Sequence, residues 1–287
     1  MQILIYIIKR LLQAIPLLFI VSVMSFFIIR LSPVDPLAEL RINPSISQET
    51  LKAEEQRLGL DKPLPVQYIL WLKSFLRGDL GVSVTGEKVS TKLMERIPNT
   101  LLLTTVVILL TWMVGIPVGI YAALHWKQPI DRLLTVLTSI GMAIPSFFFA
   151  LLLLIFAVKT GWFPTGGLTG YNYSTLTPWG KFLDIAHHLV LPVIVLFTVS
   201  LSGLQRQMRG NLLDVLGADY IKFARAKGLS ENKVIYKHAL RNAINPMVTL
   251  LGFEFAALLS GAALTEYVFQ YPCLLYTSDA ADDLIGV

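Results

Sequence analysis

Five stretches of this chain are apolar for long enough to cross a bilayer, and its charged residues are gathered between them. Leu11–Ile29 lies between Lys9-Arg10 and Arg30. Asn99–Leu124 and Leu133–Val158 hold no ionisable side chain, Leu189–Gln205 is clean between His188 and Arg206, and Pro246–Thr265 holds a single carboxylate, Glu254. About 20 helical residues cross a hydrocarbon core. Lipid offers no partner to an unpaired backbone group, so each run is predicted to be helical. The first run exceeds the ~7–15-residue core of a secretory signal and lacks a small-x-small cleavage site, so it reads as an uncleaved span.

The polar connectors carry their own patterns. In 31–98, Ser47 is placed to cap a helix whose first turn holds Glu49 and which runs to Gly59. Pro65 opens a second helix, Val66–Arg77, stopped by Gly78; Ile69, Leu72 and Leu76 fall on one face with Trp71 alongside. Such a helix suits a membrane interface, a cap on the spans, or a docking role. The segment 217–246 reads as two short helices. Asp219 is a candidate N-cap for Tyr220–Lys227, whose Tyr220, Phe223, Ala224 and Lys227 share a face at helical spacing. Gly228 suits the left-handed position that ends a helix. Ser230 caps the second helix, with Glu231 in its first turn, and that helix runs toward Ile244. This connector is far longer than a simple link requires. Its Tyr220, Phe223, Ile235 and Leu240 have little reason to face water, so it reads either as a docking knuckle around Gly228-Leu229 or as a basic helix lying on anionic lipid.

Composition agrees with the pattern. Of the 287 residues, 54% are hydrophobic and only 15% charged, against about a quarter charged in soluble domains. The net charge is +5 and the pI about 9.2. The excess sits in 206–241, where Arg206, Arg209, Lys222, Arg225, Lys227, Lys233, Lys237 and Arg241 face only Asp214, Asp219 and Glu231. By the positive-inside rule, the N-terminus, 125–132 (Lys127, Arg132) and 206–245 lie in the cytoplasm, with 31–98 and 159–187 on the far side. That rule already accounts for the basic character, and no zinc spacing or RNA-binding signature is present, so no nucleic-acid partner is expected.

No catalytic set is visible. P-loop, H-E-x-x-H and G-x-S-x-G patterns are absent, so neither enzymatic activity nor a cofactor is expected of this chain. His187 and His188 are adjacent and diverge by about 100° on a helix, which rules them out as a metal pair. Glu254 is the one carboxyl within a span. It reads as a group hydrogen-bonded to a neighbouring span, or as a polar residue on a substrate path. A single carboxyl is thin support for a stand-alone secondary transporter.

Several pieces in fixed order carry a resemblance: Leu58–Leu72 (LGLDKPLPVQYILWL), Gly78–Ser83 (GDLGVS), Arg96–Leu101 (RIPNTL), Ile144–Leu154 (IPSFFFALLLL), Gly161–Gly167 (GWFPTGG) and Ala224–Pro246 (ARAKGLSENKVIYKHALRNAINP). Together they resemble the binding-protein-dependent ABC importer permeases, nearest the first permease subunit of the dipeptide/oligopeptide branch, over 1–272. Lys222-Phe223-Ala224 stands where that family's cytoplasmic loop has Glu-Ala-Ala, Val34 replaces Gly in its Pro-Gly-Asp-Pro motif, and Glu254 stands where Gln is expected.

The resemblance implies an all-α, polytopic bundle of the type I importer fold in a bacterial inner membrane, five spans present of six expected. Its parts are an N-terminal span (1–30), an extracytoplasmic segment (31–98) and a permease core (99–272) with coupling loop 206–245. It also implies a second permease subunit forming a heterodimer, two cytoplasmic ABC ATPase subunits that hydrolyse ATP, a periplasmic solute-binding protein, and lipid. Ala224, Arg225, Lys227, Gly228 and Leu229 are the expected coupling residues; Glu254 stays a candidate pathway residue on its own position in the span. The expected cargo is a di- or oligopeptide; nickel or another small solute would use the same machinery.

After Pro272 the sequence departs from the resemblance. The tail 273–287, which contains the chain's single cysteine, Cys273, resembles a translated sequencing adapter. It is expected to stay unpacked and to leave the span from Pro246 short of a neighbour.

Overall fold

The computed structural model describes residues 2–31, 37, 41, 47–57, 59–81, 88–260 and 263–274. Ser32–Pro36, the Val82-Ser83 end of the Gly-Asp-Leu-Gly motif and 275–287 of the tail lie outside them. The described residues divide into two compact units, meeting at Leu93 and Met94.

The first unit holds α1 (Gln2–Leu31), α2 (Gln48–Arg57) and α3 (Leu64–Leu76). Helix α2 starts as its sequence dictates: Ser47 Oγ accepts the Thr50 N–H at 3.2 Å. Pro63 and Pro65 open α3, and Gly78 follows its end with φ +80. Tyr68 joins α3 to α1. Its hydroxyl lies 2.8 Å from Ser22 Oγ, and its ring meets Phe26 edge-on at 5.4 Å between centroids. The apolar face expected from Ile69, Leu72 and Leu76 is not the packed one. Gln67 and Tyr68 are buried instead, and Ile69 and Leu76 are exposed, because the aromatic contact with α1 outweighs the aliphatic stripe.

The second unit takes most of α4 (Val89–Leu124), then α5 (Pro129–Ala143), α6 (Ser146–Thr160), a 3₁₀ turn (Tyr173–Thr175) and α7 (Pro178–Gly217). It continues with α8 (Asp219–Ala226), a π-helical segment (Lys233–Ala239), α9 (Leu240–Ala243), α10 (Asn245–Ser260) and α11 (Ala263–Val268). Among the described residues, α1, α4 and α7 are long and apolar enough to cross a membrane unbroken. The run Leu133–Val158, expected as one continuous span, is divided: α5 and α6 bend by 90°. Pro145 is the cause. It removes a backbone donor and holds Ile144 extended, at ψ 123. A milder bend of 42° separates the π/α9 element from α10.

Helix α7 is the spine of this unit, and glycines let its neighbours approach. A Cβ on Gly119 of α4 would stand 2.8 Å from the Gln205 carbonyl oxygen and 2.8 Å from Met208 Cβ; one on Gly141 of α5 would stand 2.6 Å from the Thr198 carbonyl oxygen. With Gly115 against Leu204, α4 carries a small-xxx-small contact of the kind that draws membrane helices together. Polar bonds add to it: Thr138 Oγ1 donates to Gln205 Oε1 at 3.1 Å, and Ser202 donates to the Thr138 carbonyl.

Beyond α11 the chain is held in place. Tyr271 is fully buried and donates to the Asn99 carbonyl at 3.1 Å, while Asn99 Nδ2 returns a bond to the Pro272 carbonyl at 2.9 Å. The expectation that the tail is unpacked fails at its first two residues. Cys273 is buried with its thiol donating to Glu266, and the Leu274 N–H donates to Thr100 Oγ1 at 3.0 Å.

Candidate functional site

The segment 217–246 folds as a compact knuckle on α7. Helix α8 begins at Asp219 itself, so Ala218 is the cap and the predicted Asp219 cap is not formed. The Asp219 carboxylate instead takes Lys222 Nζ at 2.8 Å. The predicted face of Tyr220, Phe223, Ala224 and Lys227 also divides. Ala224 pairs with Ile221, which was not foreseen, to fill the core with Leu212, Val234, Ala239 and Met247. Tyr220 and Phe223 stay 47% and 62% exposed. Their exposure is not slack packing: the Tyr220 hydroxyl accepts from Asn242 Nδ2 at 3.0 Å, and Lys227 Nζ lies 4.7 Å from the Phe223 ring centroid.

Gly228 ends this helix with φ +76, a left-handed geometry that favours glycine, and a Cβ there would meet nothing within 4 Å. An ion pair closes the bend. Arg225 Nη2 reaches Glu231 Oε1 at 2.6 Å and its Nε lies 3.2 Å from both carboxylate oxygens. Arg225 holds the Glu231 carboxyl below the usual glutamate range. Leu229 turns inward against the same core as Ala224, so the exposed apex is Gly228 with Lys227.

The second helix starts at Ser230, whose carbonyl accepts from Lys233 N at 2.9 Å and Val234 N at 3.0 Å. The continuous α-helix expected toward Ile244 is replaced by π winding over Lys233–Ala239. The wider turn brings Val234 and Ala239, five residues apart, onto one buried face with Ala243 and Met247. Ile235 is buried and Leu240 partly so, whereas Tyr236 is 59% exposed and joins Tyr220 and Phe223 on the outside. Asn211 Nδ2 of α7 donates to the Ala243 carbonyl at 3.4 Å.

Two further features flank the knuckle. Asp131 at the start of α5 is 3% exposed and takes Arg209 of α7 through two bonds of 2.6 and 2.8 Å, plus the Lys127 N–H at 3.1 Å. Arg209 is thus a structural partner as well as one of the basic residues of 206–241. Glu254 of α10 accepts from Trp112 Nε1 of α4 at 2.9 Å. It also lines a cavity of about 430 Å³ with Ser200, Gly203, Gln207 and Phe253. Of the two readings of Glu254, the hydrogen bond to a neighbouring span is the one formed. His187 and His188 bond to the Trp162 and Asp184 carbonyls. Among the described residues no cluster of His, Cys, Asp and Glu is suited to a metal ion.

Comparison with known proteins matches this architecture. The profile described as binding-protein-dependent transport system inner membrane component covers residues 115–281, and its N-terminal companion covers 3–104. The oligopeptide transport system permease protein AppB of Bacillus subtilis (strain 168) is 42% identical over 272 residues, covering 94% of this chain and 84% of that protein. The di/tripeptide transport system permease protein DppB of Pseudomonas aeruginosa (strain UCBPP-PA14) is 37% identical, covering 93% and 84%. In structure, the chain is similar to the MetNI methionine ABC transporter in an inward-facing crystal form, with a TM-score of 0.50 at 19% identity over 69% of this chain and 82% of that one. The fold is that of a type I ABC importer permease, and the chain belongs to the binding-protein-dependent transport system inner membrane components.

Proposed function

We propose that this permease imports di- or oligopeptides, that segment 206–245 and the N-terminus lie in the cytoplasm, and that the knuckle 217–246 seats on an ABC ATPase subunit. In this reading a second, different permease subunit completes the pathway, two ATPases drive it, and a periplasmic binding protein delivers the cargo. The observation that carries the docking role is the exposure of Tyr220, Phe223 and Tyr236 on a segment that is otherwise packed and braced. Aromatic side chains held rigidly in water are characteristic of interface anchors. Ala224 and Leu229 root the knuckle, Arg225 locks its bend through Glu231, and Lys227 and Gly228 form its apex. The peptide cargo is supported by the relatives named for oligopeptide and di/tripeptide transport.

The test is co-expression with the neighbouring ATPase, permease and binding-protein genes. Phe223→Asp with Tyr236→Asp should leave the chain in the membrane, release the ATPase subunits on purification and abolish peptide-stimulated ATP hydrolysis in proteoliposomes. Coupled hydrolysis at the wild-type rate in that variant overturns the docking surface.

A further inference from the structure

A second polar cavity, of about 540 Å³, lies wholly within the first unit, between the end of α1 and the α2–α3 hairpin. Four cations line it: Arg30 from the last turn of α1, Lys62 from the turn before α3, Lys73 in the last turn of α3 and Arg77 at its C-cap. Among the described residues Asp79 is the one acid in its lining, and its Oδ1 is already occupied by the Gly81 N–H at 3.0 Å. Among the described residues none of the four cations is paired with a carboxylate. Arg30 rests on the Phe26 ring, 5.6 Å from its centroid.

Behind the cavity wall lies a sealed, unmet acceptor. Gln67 is only 8% exposed; its Nε2 donates to the Lys62 carbonyl at 2.8 Å and the Leu60 carbonyl at 3.3 Å, and its Oε1 has no partner. Leaving a buried acceptor unmet is costly. A ligand matching this wall carries negative charge for the cations. The rim is apolar as well: Leu70 and Trp71 line the opening, and Ile69 and Leu76 stand exposed on the same helix. Arg30 ends an apolar helix long enough to span the membrane, so the cavity opens at the level where hydrocarbon gives way to headgroups.

We infer that this cavity holds one phospholipid headgroup. Its phosphodiester lies among Arg30, Lys62, Lys73 and Arg77, and its acyl chains leave over Leu70 and Trp71. The inference concerns a site separate from the coupling knuckle and holds on either side of the membrane.

The test uses the assembled transporter in nanodiscs of phosphatidylethanolamine and phosphatidylglycerol, weighed intact after transfer to mild detergent. One phospholipid should stay bound to this subunit. Each cation removed should lower its retention about fivefold, so that Lys73→Gln with Arg77→Gln costs about twenty-fivefold. Both side chains are exposed, and Arg77→Gln alone serves if the double variant assembles poorly. Lys52→Gln, the same charge change on α2 outside the cavity, should retain the lipid fully. Unchanged retention in the cavity variants overturns the site, and equal loss in Lys52→Gln reduces it to general surface attraction. Displacement of the bound mass by inorganic phosphate alone would identify a free-anion site and overturn the lipid assignment.

Discussion

Arg209 grips both carboxylate oxygens of Asp131 from 78 residues away in the sequence, and so ties the start of α5 to α7 just before the knuckle begins. Asp131 is almost fully enclosed, while a quarter of the Arg209 side chain remains accessible. Removing either partner strands the other. Asp131→Asn should destabilise the purified protein by about 3 kcal/mol, the lower end of what breaking a buried pair costs, because Arg209 keeps some water. Arg209→Lys gives up the two-pronged geometry and should fall in between. Thermal unfolding of the single variants and of Asp131→Ala with Arg209→Ala checks this; additive losses would contradict direct coupling.

At Gly228, conformation and space make separate demands. Any side chain meets the left-handed φ, at a cost of about 1–2 kcal/mol, yet the chain itself leaves room for it. Gly228→Ala and Gly228→Phe should therefore unfold at similar temperatures. If a partner covers the apex, only Gly228→Phe should abolish uptake. Equal uptake in the two variants would mean that nothing approaches Gly228.

Helix contacts on α7 predict opposite signs for two glycine changes. Gly119→Ala drives a methyl into the Gln205 backbone carbonyl and should cost about 1–3 kcal/mol. Gly210→Ala, on α7 itself, meets nothing within 4 Å and should be neutral or stabilising by up to about 1 kcal/mol. Melting temperatures of the two variants decide it.

The Arg225–Glu231 pair gives the knuckle a pH dependence of defined sign. Glu231 is held below its ordinary value in the folded knuckle. Its contribution is therefore complete above the ordinary glutamate pKa and is lost as acid protonates it below that value. Both side chains are substantially exposed, so the effect is at most ~0.5 kcal/mol and weakens with salt. Amide exchange in 226–232 should quicken in acid in the wild type and lose that response in Glu231→Gln.

Glu254→Gln keeps an oxygen for the Trp112 indole, whereas Glu254→Leu leaves that donor unmet in a partly enclosed site. The first should unfold like wild type and the second earlier. A change in peptide uptake by Glu254→Gln at unchanged stability would mark the carboxylate as part of the route rather than a brace.

Much of this was legible in the chain. Ser47 caps as its spacing predicts, Gly78 and Gly228 both take the left-handed geometry their positions required, and the apolar runs locate the long helices. What was hidden has physical causes. Ile144-Pro145 stood in plain view, but unbroken apolarity masked the 90° turn it makes. Asp131 and Arg209 read as unrelated charges beside apolar runs until the fold brings them together. A 3.6-residue periodicity separates Val234 from Ala239, so their shared burial could not be read from α-helical spacing. The surprise at Tyr220 and Phe223 is of another kind: they were expected on the same face as Ala224, and the core chose Ile221 in their place.

The π winding at Lys233–Ala239 has one more consequence. A π turn holds more chain per turn than an α turn, so this segment contains slack that the rest of the knuckle lacks. Losing one residue here lets the turn tighten to α geometry while Ala243 and Met247 keep facing inward. The same loss in α8 would rotate Ile221 and Ala224 out of register with the core. Lineages that shorten this loop by a residue should do so between Lys233 and Ala239, where the helix can absorb the loss without turning its buried face to water.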